Sequence, residues 1–106
     1  DGNDIHIEIP LSIVDATLGT TIDVPTVYGD VTVRIPAGTQ PGQILKVRGK
    51  GVRDLRGNDA GDQFIHLRVE TPTKLSKEQR DLLTRYKETE TKEDSVWEKF
   101  KNTFRS

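Results

Sequence analysis

The chain has 106 residues, enough for one domain with a thin core. Hydrophobic residues make up 32% and charged residues 31%, and 16 Lys and Arg stand against 17 Asp and Glu, a net charge of -1. That balance argues against a nucleic-acid or membrane partner. The absence of Cys excludes a disulfide framework and a thiolate metal site.

No run approaches the ~18 apolar residues of a membrane span, and no signal-like segment opens the chain. The start at Asp1-Gly2-Asn3-Asp4, without an initiator Met, reads as a piece of a longer or processed chain. All 9 glycines and all 5 prolines fall at or before Pro72. Strands and turns are predicted before that point and helices after it. The fold class is therefore mostly β: a small β domain over 1–74, followed by one or two helices over 75–106.

Ile5, Ile7 and Ile9 alternate with His6 and Glu8, which predicts a half-buried strand stopped by Pro10. Ser12 to Leu18 is predicted as one or two helical turns capped by Ser12 and ended by Gly19. Thr21 to Val24 is a strand stopped by Pro25, and a hairpin turning at Gly29 leads into Val31, Val33 and Ile35. A loop rich in Pro and Gly spans Pro36 to Gly42. Ile44 to Val47 forms the next strand, bent or bulged at Gly49-Lys50-Gly51. The Arg56 to Asp62 stretch is a loop. Phe64 to Val69 carries apolar residues on both faces, which marks a central strand.

In the helical part, Ser76 and Gln79 make a capping box, and Leu82, Leu83 and Tyr86 give an apolar face. Lys87 to Asp94 is wholly polar and reads as a solvated linker or frayed helix end. Ser95 and Glu98 then repeat the capping signature. Trp97, Phe100 and Phe104 follow on one face, flanked by Val96. Burying three such rings removes ~450–750 Å² from water, at most ~11–19 kcal/mol. Association and ordering cost ~4–15 kcal/mol. The rings therefore support an assembly only if most are truly covered. On the residues alone, the helix either docks on its own sheet domain or meets a second chain. The long polar linker favours the second.

Catalytic constellations are missing. His6 and His66 could pair across neighbouring strands as a two-His metal or acid–base site. With no distinctive third ligand, they are read as solvated strand positions, and no metal, cofactor or catalytic residue is assigned. The glycine-rich segments around Lys50 and Asn58 lack the spacing of a phosphate or calcium loop. Lys46, Arg48 and Lys50, with Arg53 and Arg56 beyond, form the only basic stripe. Tyr28 and Phe64 are the only aromatic platforms in the sheet region, so this is read as a solvated face beside carboxylates such as Asp54. Ile5, Ile7, Val31, Val33 and Ile44 are read mainly as core, although such apolar matter could line a peptide groove.

Several stretches together resemble the carboxyl-terminal region of the DnaJ family of co-chaperones. They are Asp1-Gly2-Asn3-Asp4 leading into Ile9-Pro10-Leu11, Ala16-Thr17-Leu18-Gly19, and Ile22-Asp23-Val24-Pro25-Thr26. Further on come Ile35-Pro36-Ala37-Gly38-Thr39-Gln40-Pro41-Gly42, Lys46-Val47-Arg48-Gly49-Lys50-Gly51-Val52, Gly61-Asp62 and Val69-Glu70-Thr71-Pro72. The likeness covers residues 1–88 and, more loosely, 89–106.

The resemblance implies the second of two β-sandwich-like domains, followed by a dimerisation segment. It implies that Val96, Trp97, Phe100 and Phe104 are the dimer contacts, near 95–104, and that Leu82, Leu83 and Tyr86 seat that helix or its neighbour. It further implies a non-enzymatic homodimer that holds unfolded client polypeptides for the seventy-kilodalton heat-shock chaperone. The expected compartment is the cytoplasm, with a mitochondrial or other organellar setting as the alternative. The family's His-Pro-Asp triplet and Cys-x-x-Cys repeats do not occur in these residues, so neither ATPase stimulation nor zinc binding is expected of them. The rival reading is a monomeric module for extended peptide or single-stranded nucleic acid.

Overall fold

The computed structural model describes residues 3–51 and 61–105. Val52, Arg53, Asp54 and Arg56, and the loop reading over 56–60, lie outside the described residues. The chain divides into two compact units, Asp1–Pro72 and Thr73–Ser106.

In the first unit, period-two patterning builds five strands around one short helix. They are β1 (Ile5–Ser12), α1 (Ile13–Leu18), β2 (Thr20–Thr26), β3 (Gly29–Ile35), β4 (Ile44–Val47) and β5 (Gln63–Glu70). One sheet has the order β1-β5-β4; β2 and β3 form a second, two-stranded sheet. β1 runs parallel to β5, with Ile5 opposite Gln63 and Ile9 opposite Leu67. β4 is antiparallel to β5, with Leu45 opposite Ile65. β5 is thus the central strand that its two-sided apolar pattern predicts.

Both sheets contribute to a single core of Leu11, Val24, Ile35, Ile65 and Leu67, edged by Ile7, Ile9, Ile22, Val33, Leu45 and Val47. The fully buried Gln63 ties the sheets together, donating Nε2–H to the Pro25 carbonyl at 2.9 Å. Ile44 departs from the core reading, since it is half exposed.

Neither proline stops its strand. β1 continues through Pro10 to Ser12, and β2 continues through Pro25 to Thr26. Both prolines sit in strands at the rim of their sheets, where a missing N–H breaks no ladder. Likewise Gly49-Lys50-Gly51 does not bulge β4. The strand has already ended at Val47, and a turn with Gly49 at φ 71° follows.

The hairpin is as predicted: Thr26 pairs with Gly29, whose φ of 105° only glycine adopts freely. Ser12 caps α1 by accepting the Asp15 N–H at 3.0 Å. The α1 carbonyls of Ala16 and Thr17 are then satisfied by the N–H groups of Thr39 and Gly38 in the following loop. That loop therefore closes a helix end as well as joining two strands.

The second unit holds α2 (Lys77–Thr89) and α3 (Val96–Arg105). The Ser76–Gln79 capping box is complete in both directions, at 3.1 and 2.9 Å. α2 runs through Thr89, so Lys87, Glu88 and Thr89 are helix, and the polar linker begins only at Glu90. A turn at Thr91–Asp94 precedes α3. Among the described residues, no helix is long and apolar enough to cross a membrane.

Candidate interaction surfaces

The α3 spacing places its three rings in one column. Trp97 and Phe100 stack with centroids 5.4 Å apart, and Phe100 and Phe104 at 5.9 Å, each pair 23° from parallel. Ser95 Oγ accepts the Glu98 N–H at 3.2 Å to begin the helix, and a Glu98–Lys101 ion pair lies beside the column. Just upstream, the N–H and hydroxyl of Thr91 hold the Asp94 carboxyl below its usual value by hydrogen bonding to it.

The column is exposed. Val96 is 81% accessible, Trp97 63%, Phe100 54% and Phe104 79%. On α2, Leu82 and Tyr86 are also exposed, and Leu83 is half-buried. Ten residues of helix cannot hold such a face in water by propensity alone.

The basic stripe is not a strand face, because β4 ends before Arg48. Lys46 pairs with Asp62 at 3.3 Å and lies over the Phe64 ring, while Lys50 lies over Tyr28. These cations are engaged locally, which weakens the nucleic-acid reading.

Two further arrangements take their geometry from the strand pairing. The first is a junction at Asp62. Its Oδ1 accepts the Gly49 N–H at 2.9 Å, and its own N–H donates to Asp4 Oδ1 at 2.8 Å. Ile5 N–H donates to the Asp62 carbonyl, and Gly51 N–H to the Gly61 carbonyl. The Tyr28 hydroxyl joins by donating to the Gly51 carbonyl at 3.0 Å. The starts of β1 and β5, the end of β4 and the β2–β3 turn are thereby fastened at one place.

The Gly49 N–H, and after it Lys46, hold the Asp62 carboxyl below its ordinary value of 3.8 against the opposing effect of desolvation. A depressed carboxyl stabilises the fold above its unfolded pKa, and this support is lost as pH falls through the lower, folded value. Urea midpoints of the parent chain and of Asp62→Asn should therefore differ at pH 7, and the gap should close as pH falls below 3.8 and through the lower, folded value. An equal gap at both ends of that range would show that the charge carries none of the effect.

The second arrangement is the histidine pair. His6 Nδ1 lies 2.8 Å from His66 Nε2, and the His6 ring stacks on Phe64 at 5.0 Å and 14°. The two histidines are hydrogen-bonded to each other, the cross-strand pairing that the sequence allowed, with His6 exposed and His66 half-buried. Beside them Arg68 bridges Glu8 and Glu70, at 2.6 and 2.7 Å.

The comparisons with known proteins agree with the strand unit just described. Residues 1–72 match the family model described as the DnaJ C terminal domain. The chain belongs to the DnaJ C-terminal domain family.

It is similar to the chaperone protein DnaJ of Erysipelothrix rhusiopathiae, 58% identical over 105 residues that cover 99% of this chain and 28% of that protein. The chaperone protein DnaJ of Bacillus velezensis is 43% identical over 110 residues, 99% of this chain and 29% of its own. That of Geobacillus thermodenitrificans is 51% identical over 86 residues, 81% of this chain and 23% of its own. The chain thus spans less than a third of the curated relatives it matches. The family match makes it a non-enzymatic co-chaperone module. The two longer alignments cover nearly the whole chain, α2 and α3 included.

Proposed function

We propose that this chain is the dimerisation and client-holding end of a DnaJ-type co-chaperone. In this reading the parent protein passes unfolded polypeptides to the seventy-kilodalton heat-shock chaperone, and its J domain lies outside these residues. The observation that carries the proposal is the exposed, stacked column of Trp97, Phe100 and Phe104, flanked by Val96.

Since the rings are 54–79% exposed, two copies laying these columns together would remove roughly 600–1,000 Å² from water. Val96, which is 81% exposed, and the exposed Leu82 and Tyr86 are needed to bring the contact to the ~1,200 Å² at the lower edge of a specific interface. The pairing is isologous, so each ring counts twice. Leu82, Leu83 and Tyr86 would extend the apolar contact from α2 and seat the paired helices.

Pairing joins two β units in one particle. A client that touches both units binds with avidity from two weak contacts. The cytoplasm is the proposed compartment, since the relatives named above are bacterial chaperones and unfolded chains arise there during synthesis.

The test is suppression of aggregation of a chemically unfolded reporter protein, followed by light scattering. The parent chain should suppress scattering at concentrations at least about tenfold lower than Trp97→Ala does. Equal suppression by both would remove the clamp, and suppression by neither would remove client holding.

A further inference from the structure

The outer face of the β1-β5-β4 sheet carries a group of side chains that the co-chaperone reading does not use. The parallel register sets His6 opposite Phe64 and Glu8 opposite His66. His6 and His66 are therefore diagonal neighbours on one face, a separation that long side chains bridge. Stacking on Phe64 fixes the plane of the His6 ring, and its Nδ1 meets His66 Nε2 at 2.8 Å. The two imidazole planes are inclined by 40°.

Two ring nitrogens that converge in this way can share a hydrogen or share a cation. The 2.8 Å separation is that of a hydrogen bond between the rings, so small side-chain rotations suffice to turn both nitrogens toward one ion. Among divalent first-row metals the affinity of an imidazole site is highest for Cu²⁺, which selects a copper-class cation.

The local charge permits a cation. Lys46 is held by Asp62 and lies over Phe64, and Arg68 is neutralised by Glu8 and Glu70. We propose that His6 and His66 form a two-point chelate for a divalent copper-class cation, with water completing the coordination.

The proton balance is simple. Before binding, one of the two facing nitrogens carries the hydrogen between the rings. Metal binding sends that hydrogen to the outer nitrogen of the same ring, either His6 Nε2 or His66 Nδ1. A neutral pair then binds without net proton release, and a pair carrying one extra proton releases it. The chelate would also cross-link β1 to β5, so the cation favours the folded state.

The experiment titrates the untagged full chain with Cu²⁺ in a non-coordinating buffer, read by electron paramagnetic resonance and by the thermal midpoint. The expected result is one tetragonal copper signal split by two imidazole nitrogens, together with a raised midpoint. His66→Asn and His6→Asn should each weaken binding at least tenfold and abolish the midpoint rise, with the far-UV sheet signal unchanged. Affinity should fall in the order Cu²⁺, Ni²⁺, Zn²⁺ at fixed pH. Copper affinity unchanged in both variants would mean an adventitious site elsewhere and overturn the proposal. So would the absence of a two-nitrogen signal, or Zn²⁺ binding more tightly than Cu²⁺.

Discussion

Trp97→Ala is expected to convert a paired chain into single chains while leaving the sheet signal intact. The indole is the largest member of the exposed α3 column and stacks directly on Phe100. Buried aromatic anchors of an interface cost about 2 kcal/mol or more when truncated, Trp above all. A two-fold interface loses the ring twice, so the penalty is about 4 kcal/mol, roughly a thousandfold in dissociation constant. Sedimentation equilibrium at tens of micromolar should show the parent near twice its 11.9 kDa chain mass and the variant near the single mass. Phe104→Ala, at the far end of the column, should fall between them. An unchanged mass in Trp97→Ala would mean that the rings do not carry the pairing.

The second large effect is predicted at Gly51. A Cβ added there would strike the Asn3 carbonyl oxygen and come within 2.6 Å of the Gly61 carbonyl carbon and 2.8 Å of the Asp62 nitrogen. All three are backbone atoms, so no side chain can swing away. They belong to the junction that fastens β1, β4 and β5. Relief requires the strand ends to move apart, breaking the hydrogen bond from Gly51 N–H to the Gly61 carbonyl. Gly51→Ala should therefore cost about 3 kcal/mol or more, at the upper end of overpacking effects. For a unit of this size that is a large share of the total stability. Gly38 is the control, because a Cβ there meets nothing within 4 Å. Gly38→Ala carries only the positive-φ penalty of about 1–2 kcal/mol. Equal urea midpoints for the two variants would show that the close approach at Gly51 carries no strain.

Much of the fold was legible because local chemistry and the final packing agree. The Ser12 and Ser76 caps, the Gly29 turn and the two-faced apolar pattern of β5 are each decided within a few residues. Pro10 and Pro25 misled because a proline's effect depends on whether its strand has a neighbour on the N–H side. That is a property of sheet order, not of sequence. The sequence leaves Lys87 to Asp94 between linker and helix end because a run of Lys, Glu and Thr is compatible with both, and its first three residues are helix while the rest is linker.

The site was legible in part. The 3,4 spacing alone marks Trp97, Phe100 and Phe104 as one face. The contact between His6 and His66 joins residues 60 positions apart and exists only because β1 pairs with β5 in one register. The Asp62 junction likewise draws on residues from Asp4 to Asp62 and has no local signature. Glycines at 51 and 61 look like ordinary loop punctuation until the backbone of Asn3 is seen against them.

Trp97 is the only tryptophan in the chain, so its fluorescence reports on the column directly. Emission is followed while the chain is diluted from tens of micromolar to nanomolar. If a second copy covers the indole, its emission lies to the blue at high concentration and moves to the red on dilution, along the same curve as the fall in mass. A red, water-exposed emission at every concentration would contradict the clamp, and so would a blue emission that dilution leaves unchanged.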